Sequence, residues 1–157
     1  IMLRRRVNDS AGNTYEIKTL TYDELSDVCI MKYETEDMLP GWVEISRHPA
    51  TLDENVYSYC SPMGFYSPTS ILKYQGIYSG NVIHTDFDEN RMLSVYTLPA
   101  VGGASGGGIL NSDNEIVGVI HSAIESFHHI TFSSTHGDVL RLIEKAEEME
   151  GWKITER

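Results

Sequence analysis

Apolar and polar residues alternate in short runs along most of the chain, and clusters of turn-forming residues separate the runs. Val7 leads into the polar segment Asn8-Asp9-Ser10-Ala11-Gly12-Asn13, and Tyr15-Glu16-Ile17-Lys18-Thr19-Leu20 returns from it. That arrangement predicts a β-hairpin. A further strand is predicted over 27–33, followed by an acidic linker over 34–40. Beyond it the pattern predicts strands near 43–45, 56–60, 72–79, 82–85, 91–97, 108–110, 116–122 and 130–133. Asn111-Ser112-Asp113-Asn114 is a tight polar turn between two of them. Only the end of the chain has helical spacing. Thr135 or Asp138 can cap a segment whose apolar residues fall at Val139, Leu142, Ile143 and Ala146. Many short strands with one terminal helix predict an all-β barrel or sandwich.

One segment breaks the alternation. Gly102-Gly103-Ala104-Ser105-Gly106-Gly107-Gly108 sets a single serine among six small residues, just before the apolar pair Ile109-Leu110. Glycine density removes side-chain bulk and permits backbone conformations closed to other residues. A serine held there has an accessible hydroxyl, and neighbouring amides can converge on a developing oxyanion. The plain alternative is a glycine-rich turn or linker. Strand-like runs on both sides argue against a linker.

These residues extend into a longer likeness. Gly103-Ala104-Ser105-Gly106-Gly107 resembles the glycine-x-serine-glycine-glycine nucleophile motif of trypsin-like (chymotrypsin-fold) serine peptidases, nearest in look to the Htr-type and glutamyl-endopeptidase branches. The segment from Asn114 to Ala123 resembles the strand that follows that motif. Tyr57-Ser58-Tyr59-Cys60-Ser61-Pro62-Met63-Gly64-Phe65 and Gln75-Gly76-Ile77-Tyr78-Ser79-Gly80 resemble two upstream segments of Htr-type enzymes. Ser26-Asp27-Val28-Cys29-Ile30-Met31-Lys32 is similar to the strand presenting the family's catalytic aspartate. The resemblance implies a chymotrypsin-like double β-barrel with its first barrel incomplete and a C-terminal α-helix. It places the remainder of the first barrel at 1–38, the second barrel at 39–136 and the helix at 137–150.

By the same resemblance, Ser105 is the nucleophile, Asp27 the orienting carboxylate, and the amides of Gly103 and Ser105 the oxyanion hole. Without it, Asp27 reads as a strand-start or turn aspartate. A serine hydroxyl needs an adjacent base, which in a triad is a histidine steadied by the aspartate. The family's histidine lies upstream of its aspartate, yet the 26 residues before Asp27 contain none. The expectation is therefore a serine endopeptidase acting on polypeptides, with its base supplied by a segment upstream of residue 1. The other reading is a protease-fold binding or structural module that does not cleave. His48, His84 and His136 read as surface or capping residues.

The expected substrate pocket is His121, Ser122, Ala123, His129 and Thr131, with His128 beside it. Relatives carry a pocket histidine two residues after the strand's glycine, whereas His121 stands three after Gly118. A one-residue slip turns a strand side chain to the other face, so His121 reaches the pocket only through a bulge. The stretch Thr97-Leu98-Pro99-Ala100-Val101-Gly102 is uncharged, which disfavours basic substrate side chains. An apolar residue suits Leu98, Val101 and Ala123; glutamine or glutamate suits His121 and His129.

Composition narrows the field further. A formal charge of −11 argues against a nucleic-acid surface, which needs a basic footprint. Arg4-Arg5-Arg6 reads as a strand with exposed arginines, and Glu144, Glu147, Glu148 and Glu150 as a solvated helix face. No stretch approaches the ~18 apolar residues of a membrane helix. His128-His129 is not spaced for a shared ion and no CxxC pair occurs, so neither metal nor cofactor is expected. Cys29 and Cys60 each fall in an apolar run, where free cysteine behaves as a small hydrophobe. Two reduced thiols suit a cytosolic or intravirion setting.

Overall fold

The computed structural model describes residues 6–9, 11–36, 41–65, 72–85, 90–124 and 129–151. His128 and the end of the acidic linker, 37–40, lie outside them, as does most of the basic cluster at 4–6. The described residues form short strands and one terminal helix, as the pattern predicts, and the strands fall into two β units, as the resemblance implies. Strands β1 (Arg6–Asn8), β2 (Thr14–Asp23) and β3 (Val28–Tyr33) make an antiparallel sheet in chain order. Strands β4 (Asn55–Tyr59), β5 (Lys73–His84), β6 (Arg91–Tyr96), β7 (Gly108–Leu110), β8 (Ile116–Ala123) and β9 (Thr131–Ser134) close into a barrel ordered β4-β5-β6-β9-β8-β7. Helix α1 (His136–Glu150) ends the described chain.

The first hairpin is tied by Asp9, whose carboxylate accepts from the amides of Ala11 and Asn13 at 2.9 and 2.8 Å. The same carboxylate accepts from the Tyr15 hydroxyl at 3.0 Å. One face of the sheet is covered. Thr21 and Val28 are buried on the side where α1 lies, and Lys145 of the helix donates to the Tyr22 carbonyl at 3.1 Å. Among the described residues the opposite face is bare. Cross-strand partners Tyr22 and Cys29, and Met31 beside them, are exposed there. Cys29 is therefore not the buried hydrophobe expected from its apolar run, because no described residue covers its side of the sheet.

Inside the barrel Val56, Tyr96, Leu98, Ile109, Val117 and Ile120 form the core, all nearly inaccessible to solvent. Where two strands were expected over 72–85, one long β5 runs through. A register shift between Tyr78 and Gly80, with Gly80 at φ +112°, bends the strand instead of breaking it. The run at 43–45 is not a strand. Ile45 makes a single parallel bridge to Ile116. Thr135 caps α1, and Thr135 and Asp138 bond each other's amides in a capping box. His136, expected as a surface or capping residue, is buried at the first helical turn, with its Nε2 2.7 Å from the Ser46 carbonyl.

The two units meet at the β2–β3 turn. The Ser26 carbonyl accepts from the Ser134 hydroxyl of β9 at 2.6 Å and from the Arg91 guanidinium of β6. Ser26 itself is 2% exposed. The barrel thereby holds the next residue, Asp27, which sits in the left-handed region at φ +51°. A short 3₁₀ turn at Pro62–Gly64 packs against the glycine-rich segment, where the Met63 N–H donates to the Gly102 carbonyl at 2.6 Å.

Candidate active site

Two consecutive tight turns set the position of Ser105. The Ala104 N–H donates to the Val101 carbonyl at 3.0 Å, closing a turn with Gly103 at φ +94°. The Gly107 N–H then donates to the Ala104 carbonyl at 3.0 Å, closing a second with Gly106 at φ +85°. Positive φ at the third position of such turns favours glycine. Crowding adds to the demand at Gly103, where a Cβ would lie 2.8 Å from the Ser61 carbonyl oxygen. Ala104 is buried in the barrel core while Ser105 stands exposed at the apex of the second turn.

The turns also sort the local amides. Those of Ala104, Gly106 and Gly107 donate to the carbonyls of Val101, Ile120 and Ala104. Among the described residues, those of Gly103 and Ser105 donate to no backbone carbonyl. Two unspent donors flank an exposed hydroxyl, the arrangement that can receive an oxyanion.

A cavity of about 440 Å³ opens beside Ser105. Ala100, Val101, Ile120 and Ala123 give it apolar walls, with the exposed Met63 beside them. His121 and Ser122 border it from β8, and among the described residues no carboxylate lines it. Of the expected pocket, His121, Ser122 and Ala123 lie at the cavity. Thr131 does not. It is fully buried, and its hydroxyl donates to the Leu98 carbonyl at 2.5 Å. His129 is exposed and outside the cavity lining, and Leu98 belongs to the core instead of the pocket. Alternation along β9 and the segment after β6 decides this, since their inward positions fill the barrel.

The bulge that His121 needs is present. The β8–β9 register shifts between Ile120 and Ser122. It turns the imidazole to another purpose, however. His121 Nε2 lies 3.2 Å from Asp27 Oδ2 and 3.1 Å from Arg91 Nη1, and Nδ1 lies 2.8 Å from the Ser122 hydroxyl. Both ring nitrogens therefore have protein neighbours. Burial first, then the nearby Arg91 charge, hold the imidazole below its ordinary pKa, while Asp27 opposes them. The main-chain carbonyl of His121 meanwhile accepts from Ser105 Oγ at 3.0 Å. Serine and aspartate, 78 positions apart in sequence, thus meet at one residue of β8.

The profile of the trypsin-like peptidase domain matches residues 2–119, three quarters of the chain. The chain belongs to the trypsin-like peptidase family. Among solved structures it is similar to the Rv3671c protease from M. tuberculosis in its active form, with TM-score 0.68 and 19% identity over 85% of this chain and 59% of that one. An inactive form of Rv3671c carrying a serine-to-alanine substitution gives TM-score 0.68 and 18% identity, covering 85% of this chain and 65% of that one. The chain therefore spans less than two thirds of those relatives. A search of curated proteins finds no match. Family membership and fold agree with the closed barrel, the second sheet and the terminal helix. Arg91 and Met63 are the site residues that the chain's pattern did not disclose. Arg91 reads in sequence only as the start of a strand, 65 positions from the Ser26 carbonyl it holds.

Proposed function

We propose that the chain carries the nucleophile, the orienting carboxylate and the oxyanion donors of a serine endopeptidase, whose base comes from a segment upstream of residue 1. The observation that carries this reading is the convergence of Ser105 and Asp27 on His121, beside a cavity that Ser105 and His121 line. A histidine entering between the two would take the Ser105 proton as the hydroxyl attacks a peptide carbonyl. Asp27 would fix that histidine's tautomer and steady its positive form. The Gly103 and Ser105 amides would receive the negative oxygen of the tetrahedral intermediate, and the returning proton would release the amine. The bare face of β2 and β3 is where further strands of a first barrel would pack.

His121 is not the base in this arrangement. Ser105 meets its carbonyl, while its ring nitrogens face Asp27, Arg91 and Ser122. That same contact favours the second reading, a non-cleaving module, for the 157-residue chain by itself. Without its base a triad enzyme loses roughly 10⁶-fold in rate. The test compares fluorophosphonate labelling of the chain with that of a longer protein containing the upstream histidine. Labelling of Ser105 only in the longer protein supports the endopeptidase; no labelling in either establishes the non-cleaving module.

A further inference from the structure

The contacts around His121 impose a choice. A carboxylate only accepts hydrogen bonds and a guanidinium only donates them. Asp27 Oδ2, 3.2 Å from Nε2, requires a proton on that nitrogen, whereas Arg91 Nη1, 3.1 Å from the same atom, requires its lone pair. A neutral imidazole carries one ring proton, so the two neighbours select opposite tautomers. Ser122 at Nδ1 does not arbitrate, since a hydroxyl donates or accepts equally well.

Arg91 has the firmer hold. Its Nη2 donates to the Ser26 carbonyl, and its Nε is buried without a partner among the described residues. The Asp27 side chain is 70% exposed, so water screens its pull on the ring. His84, on the strand paired with β6, adds a further unfavourable neighbour to a positive imidazole.

We propose that Arg91 keeps His121 neutral with its proton on Nδ1, and so prevents the imidazole from capturing the Asp27 carboxylate that the incoming base needs. The functional half rests on the reading of Asp27 as the orienting carboxylate; the state of His121 does not. Arg91 is a positioning residue, because it reaches Asp27 only through His121 and the Ser26 carbonyl. Without its charge, His121 takes up a solvent proton at higher pH and donates from Nε2 to Asp27. Ser134 continues to hold the Ser26 carbonyl, so the turn survives the loss.

The first arm uses the 157-residue chain labelled with ¹⁵N. Ring-nitrogen shifts of His121, assigned by comparison with H121N, report its tautomer and titration midpoint. The expected result is an Nδ1–H tautomer in the wild type, an upward midpoint shift in R91Q, and a midpoint close to wild type in R91K. A wild-type Nε2–H tautomer, or an unmoved midpoint in R91Q, overturns the proposal. In the second arm, Ser105 labelling by a fluorophosphonate is followed against pH in the longer protein. The acid limb should move upward in R91Q and return in the R91Q/H121N double variant. Failure of H121N to relieve the R91Q defect overturns the link to Asp27. Absence of labelling in the wild-type longer protein removes the endopeptidase reading, and the nitrogen shifts then decide the tautomer independently.

Discussion

The hydroxyl of Ser105 donates to the main-chain carbonyl of His121 at 3.0 Å. The serine is thereby parked on the strand that borders the cavity, with its proton committed to a backbone acceptor and not to a base. Its hydroxyl is exposed, so removing it disturbs no packing. Ser105→Ala should abolish fluorophosphonate labelling in the protein that contains the upstream segment. One exposed hydrogen bond is worth about 0.5–1.5 kcal/mol at most, so the melting temperature should barely change. Persistent labelling would assign the nucleophile elsewhere.

Gly103→Ala tests the turn beneath the nucleophile. The new Cβ would meet the Ser61 oxygen at 2.8 Å and the Met63 nitrogen at 3.1 Å, on a backbone at φ +94°. Strain of this kind costs about 1–3 kcal/mol. Relief requires the Gly103 amide to rotate, so labelling should fall by roughly 10²-fold. A variant melting and labelling like wild type contradicts the assigned turn.

Substrate preference follows from the cavity wall. Ala100, Val101, Ile120 and Ala123 present apolar surface, and no carboxylate among the described residues awaits a basic side chain. A peptide-library profile of the longer protein should show small or medium apolar residues before the scissile bond. Dominant cleavage after arginine or lysine would refute this.

Tyr96 gives a pH prediction. Burial, the largest influence, pushes its phenol up to about 12 against the outweighed help of Ser133 and Ser94. The folded protein thus retains a proton that an unfolded tyrosine releases near pH 10. Stability contributed by the neutral phenol is complete below that value and is lost as pH rises from about 10 through about 12. Spectrophotometric titration should show a late-ionising tyrosine that is absent in Tyr96→Phe.

The two thiols should differ in reactivity. Cys29 is exposed on the bare sheet face, while burial pushes the half-buried Cys60 thiol upward. A disulfide reagent added to the native chain should modify Cys29 first. Cys29→Ser should remove the fast phase, and faster reaction at Cys60 would contradict the placement.

The alternation of apolar and polar residues determined by itself that the chain is built of short strands and one capped helix, because side-chain period follows backbone period. The density of glycines around Ser105 likewise marked the nucleophile candidate, since only glycine tolerates φ +94° at 103 and +85° at 106. Which side chains meet across the fold was not written in any local pattern. Thr131 and Leu98 looked like pocket residues and lie in the core, because strand pairing around the barrel decides which positions point inward. His121 borders the cavity as its strand position suggests, but its contact with Asp27 comes only from the bulge opposite β9 and the docked β2–β3 turn. Arg91 had no mark in the sequence, because its importance comes from Ser26 and His121, partners that only barrel closure and the docking of the β2–β3 turn bring within hydrogen-bond reach.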